Sequence, residues 1–157
     1  MNIKLLCIGK TDDKQLQVLI DTYSKRLGHY IKFSIEIIPD IKNAKHLSET
    51  EQKIKEGQQF LKKLQPQDHI VLLDEKGKEY HSVGFSKFLQ KKMNGGFKTL
   101  VFLIGGPYGF SDEIYHKAQA KVALSQLTFS HQMVRLFMVE QLYRGFTILK
   151  GEPYHHQ

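Results

Sequence analysis

Two short runs, His69 to Asp74 (HIVLLD) and Thr99 to Ile104 (TLVFLI), are apolar at nearly every position and end in turn-forming residues. A strand without polar alternation is buried on both faces, and that happens where helices cover a parallel sheet above and below. The flanking segments fit this frame. Ile3 to Gly9 is a third apolar run. Leu16, Leu19, Ile20, Tyr23 and Leu27 follow at helical spacing, with Asp12 and Asp13 near the start where they suit the helix dipole. Ile31, Phe33, Ile35 and Ile37 alternate with Lys32, Ser34 and Glu36, which predicts a half-buried strand ended by Pro39. Asp40 to Leu47 reads as a polar loop. Ser48 and Glu51 form a capping box that opens a helix with Ile54, Leu61 and Leu64 on one face, closed by Pro66.

The second half repeats the pattern. HIVLLD runs into the turn Glu75-Lys76-Gly77, and Phe85, Phe88, Leu89 and Met93 mark a helix ended by Asn94-Gly95-Gly96. TLVFLI enters the loop Gly105-Gly106-Pro107-Tyr108-Gly109. Ser111 caps a short helix with Asp112 and Glu113 in its first turn. Val122 to Leu127 is a weaker strand, His131 to Leu149 a long helix, and Lys150 to Gln157 a polar tail. The sequence therefore predicts one α/β domain over residues 1–157, a parallel sheet of about five strands with helices on both faces.

Composition narrows the function. The single cysteine, Cys7, excludes an internal disulfide and four-cysteine zinc sites. No apolar run reaches the roughly 18 residues of a membrane span. The chain opens on a strand-like segment, so no secretory leader is expected and the cytoplasm is the expected compartment. The 23 Lys and Arg against 16 Asp and Glu give a net charge of +7. Twelve basic and seven acidic side chains fall in residues 41–98, whereas residues 99–157 hold five and four. A basic face suits a polyanion, and it equally suits a solvated lysine-rich surface.

In open α/β sheets ligands bind beyond the carboxyl ends of strands. Three exits qualify: Leu73-Asp74, the Gly105–Gly109 loop, and Ser125–Ser130. Three glycines and a proline in five residues let a ligand approach the backbone closely. That loop is neither a dinucleotide fingerprint nor a P-loop, and it also serves as a plain connector. Asp74 beside Glu75 offers acid–base or metal chemistry, or simply forms a turn. No metal-ligand spacing is present, and His155-His156 alone is weak.

The helix from His131 to Leu149 is apolar all round, so it is buried all round. A second copy of the chain is the economical cover, giving a twofold homodimer; cover by its own chain is the alternative. Two of only three arginines, Arg135 and Arg144, lie on this helix. Arg144 follows Glu140 by four residues, which allows an ion pair. Arg135 follows His131 by four, two basic groups on an apolar helix, an arrangement that favours contact with an anion or a partner.

The strand exit LLDEKGK, the loop LIGGPYGF, the stretch LSQLTFSHQMVRLFMVEQLYRGF and the ending GEPYHHQ together resemble, over essentially the whole chain, the bacterial ribosomal RNA large-subunit methyltransferase H family of the SPOUT superfamily. The resemblance implies a parallel-sheet SPOUT fold with a C-terminal trefoil knot and a homodimer joined through the C-terminal helix. It also implies an S-adenosylmethionine-dependent enzyme that methylates N3 of a pseudouridine in large-subunit ribosomal RNA, on the assembled ribosome. Carried over position by position, the cofactor contacts fall on Leu73, Gly105, Ser125, Gln126, Leu127, Thr128, Phe129 and Ser130. Substrate contacts are expected at Arg135, Arg144 and His131, and catalytic groups at Tyr154 and His155, with no metal. Ser130 stands where the family commonly has proline, and Gly145 where alanine is usual, a change costing ~1 kcal/mol of helix propensity. A non-catalytic ribosome- or RNA-binding module, or a SPOUT methyltransferase with another RNA target, is the competing reading.

Overall fold

The computed structural model describes residues 1–156; Gln157, the last residue of the GEPYHHQ ending, lies outside the described residues. Five strands form one wholly parallel sheet: β1 (Asn2–Ile8), β2 (Lys32–Ile38), β3 (His69–Lys78), β4 (Thr99–Ile104) and β5 (Ala120–Val122), in the order β2-β1-β4-β3-β5. The three inner strands are the three apolar runs of the sequence. Among the described residues, four α-helices connect them, α1 (Lys14–Leu27), α2 (Glu49–Lys63), α3 (Ser82–Asn94) and α4 (Asp112–Lys117), and a fifth, α5 (His131–Leu149), follows β5.

Strand alternation divides the core into two layers. Ile3, Leu5, Cys7, Leu100, Phe102 and Ile104 face α1, α3 and α5, whereas Leu6, Ile8, Val101 and Leu103 face α2 and α4. Burial pushes the Cys7 thiol up to about 12, with the nearby Arg135 charge opposing the rise. Asp13 caps α1 by accepting from the backbone N–H of Gln15 and Leu16, and the Ser48–Glu51 capping box of α2 forms as expected.

Several expected details differ. α2 buries Glu56, Gly57 and Phe60 and leaves Ile54 exposed, because Gly57 sits directly against Ser111 at the start of α4. Glu75 to Lys78 extend β3 instead of leaving it as a turn, and a β-bulge lets Lys78 pair with Val122. A Cβ on Gly77 would lie 2.6 Å from the Val122 backbone, so glycine permits this crossing. β5 is shorter and earlier than expected, ending at Val122. Ser111 occupies the N-cap position of α4 without a side-chain capping bond.

The cover of α5 comes largely from its own chain. α1 and α3 flank it, and Met138, Val139, Leu142 and Phe146 are buried against them. Gly145 brings α5 close to α3, since a Cβ there would meet Leu89 Cδ1 at 2.7 Å. The first half of α5 still presents Met133 and Phe137 outward. The tail after α5 is folded back: Tyr154 packs on Tyr143, and Tyr30 bonds Glu152. Among the described residues, no helix is long and apolar enough to cross a membrane.

Candidate active site

The carboxyl ends of β3 and β4 and the segment after β5 converge as the strand-exit rule predicts. At the β3 exit, Leu73 pairs with Ile104 and Val122. Asp74 accepts from the backbone N–H of Lys76 at 2.7 Å and from the Tyr115 hydroxyl. Burial first, then this bond to Asp74, pushes the Tyr115 hydroxyl above its ordinary range. Both oxygens of Asp74 are therefore engaged, one in an Asx-type turn and one in anchoring α4.

After β4, Gly105–Gly109 closes as a tight turn, with Gly109 N–H donating to Gly106 O at 3.2 Å. Gly109 has φ +83°, the left-handed region that favours glycine. Tyr108 stands at the tip, 45% exposed.

The third element is the segment 123–130. Ser125 Oγ accepts from the Leu127 N–H at 3.0 Å, and Phe129 packs on Phe137 with ring centres 5.0 Å apart. Ser130 caps α5, its Oγ accepting from the Met133 N–H at 3.2 Å. Gln126, Leu127 and Thr128 are exposed.

These three elements enclose a cavity of about 630 Å³ that runs into a smaller one of about 150 Å³; Leu73, Asp74, Glu75, Phe129 and Val134 line both. Gly105, Gly106, Tyr108 and His131 line the larger space, and Ser125, Leu127 and Thr128 the smaller. Glu49, Asp74, Glu75 and Asp112 on its walls outnumber Lys53 and Lys76, a balance that suits a cationic ligand with an apolar, flat portion.

Arg135 departs from its expected place against substrate. It is 1% exposed, and its guanidinium donates to Ile8 O at 2.7 Å and to Thr11 Oγ1 at 3.0 Å. Gln132 adds a paired bond to Asp12, taking its N–H at 2.9 Å and donating to its carboxylate at 2.7 Å. Together they bolt the start of α5, and with it His131 and Val134, to the β1–α1 loop.

Arg144, Tyr154 and His155 do come together, at the other end of α5. Arg144 donates to Glu140 at 2.6 Å, faces His155 Nδ1 at 3.2 Å and lies over the Tyr154 ring at 4.7 Å. The Tyr154 hydroxyl donates to Glu140 at 2.8 Å, and burial, then its contacts with Tyr23 and Glu140, hold it protonated. At 1.5 Å per residue, Arg144 lies roughly 20 Å along the helix from His131. The sequence reading missed Tyr115, Gln132 and Asp12, whose partners lie far away in the chain. It also missed Glu56, which sits behind the glycine loop and which only the unexplained Gly106 could have signalled.

With this geometry in view, comparison with known proteins is informative. Residues 1–155 match the family model described as "Predicted SPOUT methyltransferase". Proteins named ribosomal RNA large subunit methyltransferase H from Flavobacterium johnsoniae, Parabacteroides distasonis and Bacteroides thetaiotaomicron are 71%, 57% and 51% identical over 157 residues, the full length of each and of this chain. A solved structure of a probable methylase family protein from Haemophilus influenzae Rd KW20 superposes with a TM-score of 0.54 and 9% identity. It covers 96% of this chain, which spans 66% of that one, and the likeness bears on the fold alone. The chain belongs to the SPOUT methyltransferase family, within the group called ribosomal RNA large subunit methyltransferase H.

Proposed function

We propose that this enzyme transfers a methyl group from S-adenosylmethionine to N3 of a pseudouridine in large-subunit ribosomal RNA, on the assembled ribosome in the cytoplasm. The observation that carries the reading is the convergence of Leu73, Gly105, Ser125, Leu127, Thr128 and Phe129 on two adjoining cavities that share walls; Gln126 and Ser130 line neither. The volume of the larger falls in the range of roughly 300–1,000 Å³ usual for small-molecule sites. Leu73, Ile104, Phe129 and Val134 offer apolar walls for a purine, and the acidic surplus suits a ligand that carries a sulfonium and an ammonium. Leu73, Gly105, Ser125, Leu127, Thr128 and Phe129 would hold this ligand. When bound, it supplies a methyl carbon already activated by positive sulfur, so no protein nucleophile is required.

The remaining work belongs to this chain's own residues: to align the base, exclude water and deal with the N3 proton. Arg144 offsets the negative charge that builds on the base as that proton leaves, and Tyr154 and His155 orient the guanidinium. His131 stands at the mouth of the cavity. Arg135, committed inside the subunit, has no part in substrate contact.

Roughly 15 Å of helix separates Arg144 from Val134, which lines the cavity of its own subunit, and this supports a homodimer. Met133, Phe137 and Leu127 stand outward beside the cavity, a ready apolar contact for a second copy. A twofold pairing that sets one α5 against the other, running oppositely, brings the tail of each subunit to the cavity of its partner. The trefoil knot belongs to the same reading. Its supports are the crossing of the chain at Gly77 and Val122, the Ala123 N–H donating to Lys78 O at 3.0 Å, and the return of α5 to the β1–α1 loop.

Calorimetric titration with S-adenosylmethionine tests the donor, with saturable binding expected; a flat titration overturns it. Mass spectrometry of ribosomal RNA from a deletion strain tests the target, with loss of one methylated pseudouridine expected.

A further inference from the structure

Glu56 has no role in the chemistry above, and ordinary packing does not account for it. It lies in the middle of α2, 2% exposed, and its side chain points at the back of the glycine loop. Oε2 receives a single long hydrogen bond, from Gln52 Nε2 at 3.5 Å, and Oε1 has no partner. Among the described residues no lysine or arginine pairs with it, and Asp40, close enough to act on it, has the same sign. A carboxyl buried in this way is costly to the fold.

The carboxyl also abuts a residue on the cavity wall. A Cβ on Gly106 would lie 2.3 Å and 2.5 Å from its two oxygens. Gly106 is not among the residues with positive φ, so what glycine serves there is the close approach of the Glu56 carboxyl and not a special backbone conformation. Gly106 itself lines the larger cavity. One layer of main chain, without a side chain, separates the Glu56 carboxyl from whatever binds there.

We propose that Glu56 is the buried counter-charge of the methyl-donor site, favouring the cationic donor over the neutral product that transfer leaves behind. This assignment rests on the donor reading above. Across one layer of low-dielectric backbone a carboxylate acts on a cation far more strongly than through water. In the transfer, the S–C bond breaks with its electron pair remaining on sulfur, the N3–C bond forms from the N3 electron pair, and the N3 proton is released. The sulfonium becomes an uncharged thioether, and the attraction from Glu56 falls away at that moment. The device retains the donor and releases the product. The burial that opposes ionisation of Glu56 in the empty protein is offset by a cation beyond Gly106.

The test is calorimetric titration of wild type and Glu56→Gln with S-adenosylmethionine and S-adenosylhomocysteine, alongside thermal melting of the ligand-free proteins. Glu56→Gln keeps the shape, so the donor should weaken about tenfold while the product changes less than about twofold. The ligand-free variant should melt at a higher temperature, having lost an unpaired buried acid. Glu56→Asp keeps the charge and should keep the preference for the donor. Equal weakening of both ligands by Glu56→Gln, no change in either, or loss of the preference in Glu56→Asp overturns the proposal. If wild type binds neither ligand, the donor reading itself fails, and this assignment falls with it.

Discussion

Arg135 and Arg144 lie nine positions apart on one helix, the first four residues after a histidine and the second four after a glutamate, and the fold gives them opposite tasks. Arg135 is enclosed, and its partners are a backbone carbonyl and a hydroxyl on a loop more than a hundred residues earlier. The Arg144 side chain is 26% exposed, and its partners are a carboxylate on the same helix and a tail histidine. The first uses its fork of donors to hold two segments in place. The second keeps its charge near solvent, in a cluster that a partner molecule can enter. An arginine's role follows from whether its partners are rigid and internal or mobile and at the surface.

The largest effect should come from Arg135→Met. It deletes two charge-assisted hydrogen bonds and strands the Ile8 carbonyl, for a loss of about 1–3 kcal/mol in denaturant unfolding. Cys7 reports the same event: its buried thiol, pushed up to about 12, should resist thiol reagents at pH 8 in wild type, and because the variant also removes the charge that opposes this rise, faster reaction there reports opening of the fold and not easier ionisation. A loss below ~1 kcal/mol breaks the contrast between the two arginines.

Arg144→Ala should do the reverse, changing stability by less than about 1 kcal/mol because the pair is partly exposed. Methyl transfer to purified ribosomes should fall about 100-fold. Mixing this variant with Gly105→Val, which fills the cavity wall, sharpens the point. In an equal mixture half the dimers are mixed, each with one intact site if the tail acts across the interface, so about a quarter of wild-type activity returns. No recovery means that the tail serves its own subunit.

Tyr154→Phe should have a smaller effect. Loss of the hydroxyl bond to Glu140 removes about 0.5–1.5 kcal/mol. Turnover should drop several-fold while donor affinity stays unchanged in calorimetry, since Tyr154 acts on Arg144 and not on the donor cavity.

The sequence carried the sheet well, because Leu5–Ile8 of β1, His69–Leu72 of β3 and Leu100–Ile104 of β4 are buried at consecutive positions and nearly all of them are apolar. It carried the three strand exits for the same reason, since each follows where a strand stops. It missed where contacts cross the chain. Ala120-Lys121-Val122 is too short and too polar to announce a strand, and it forms one only because β3 lies beside it. The inner face of α2 was misphased because a glycine and a glutamate occupy it, the one for close approach to Ser111 and the other beneath Gly106. Arg135 misled for the same reason, its partners lying at Ile8 and Thr11.

Gly145 carries a practical lesson for anyone stabilising this protein. Helix propensity alone recommends Gly145→Ala, a gain of ~1 kcal/mol. The new methyl would press into the Leu89 side chain, which is fully buried with little room to retreat. Crowding of that kind costs about 1–3 kcal/mol, so thermal melting should show no gain from the single exchange. The two sites act as one design variable: alanine at 145 becomes profitable once Leu89 is trimmed to valine, and neither change is worth making alone.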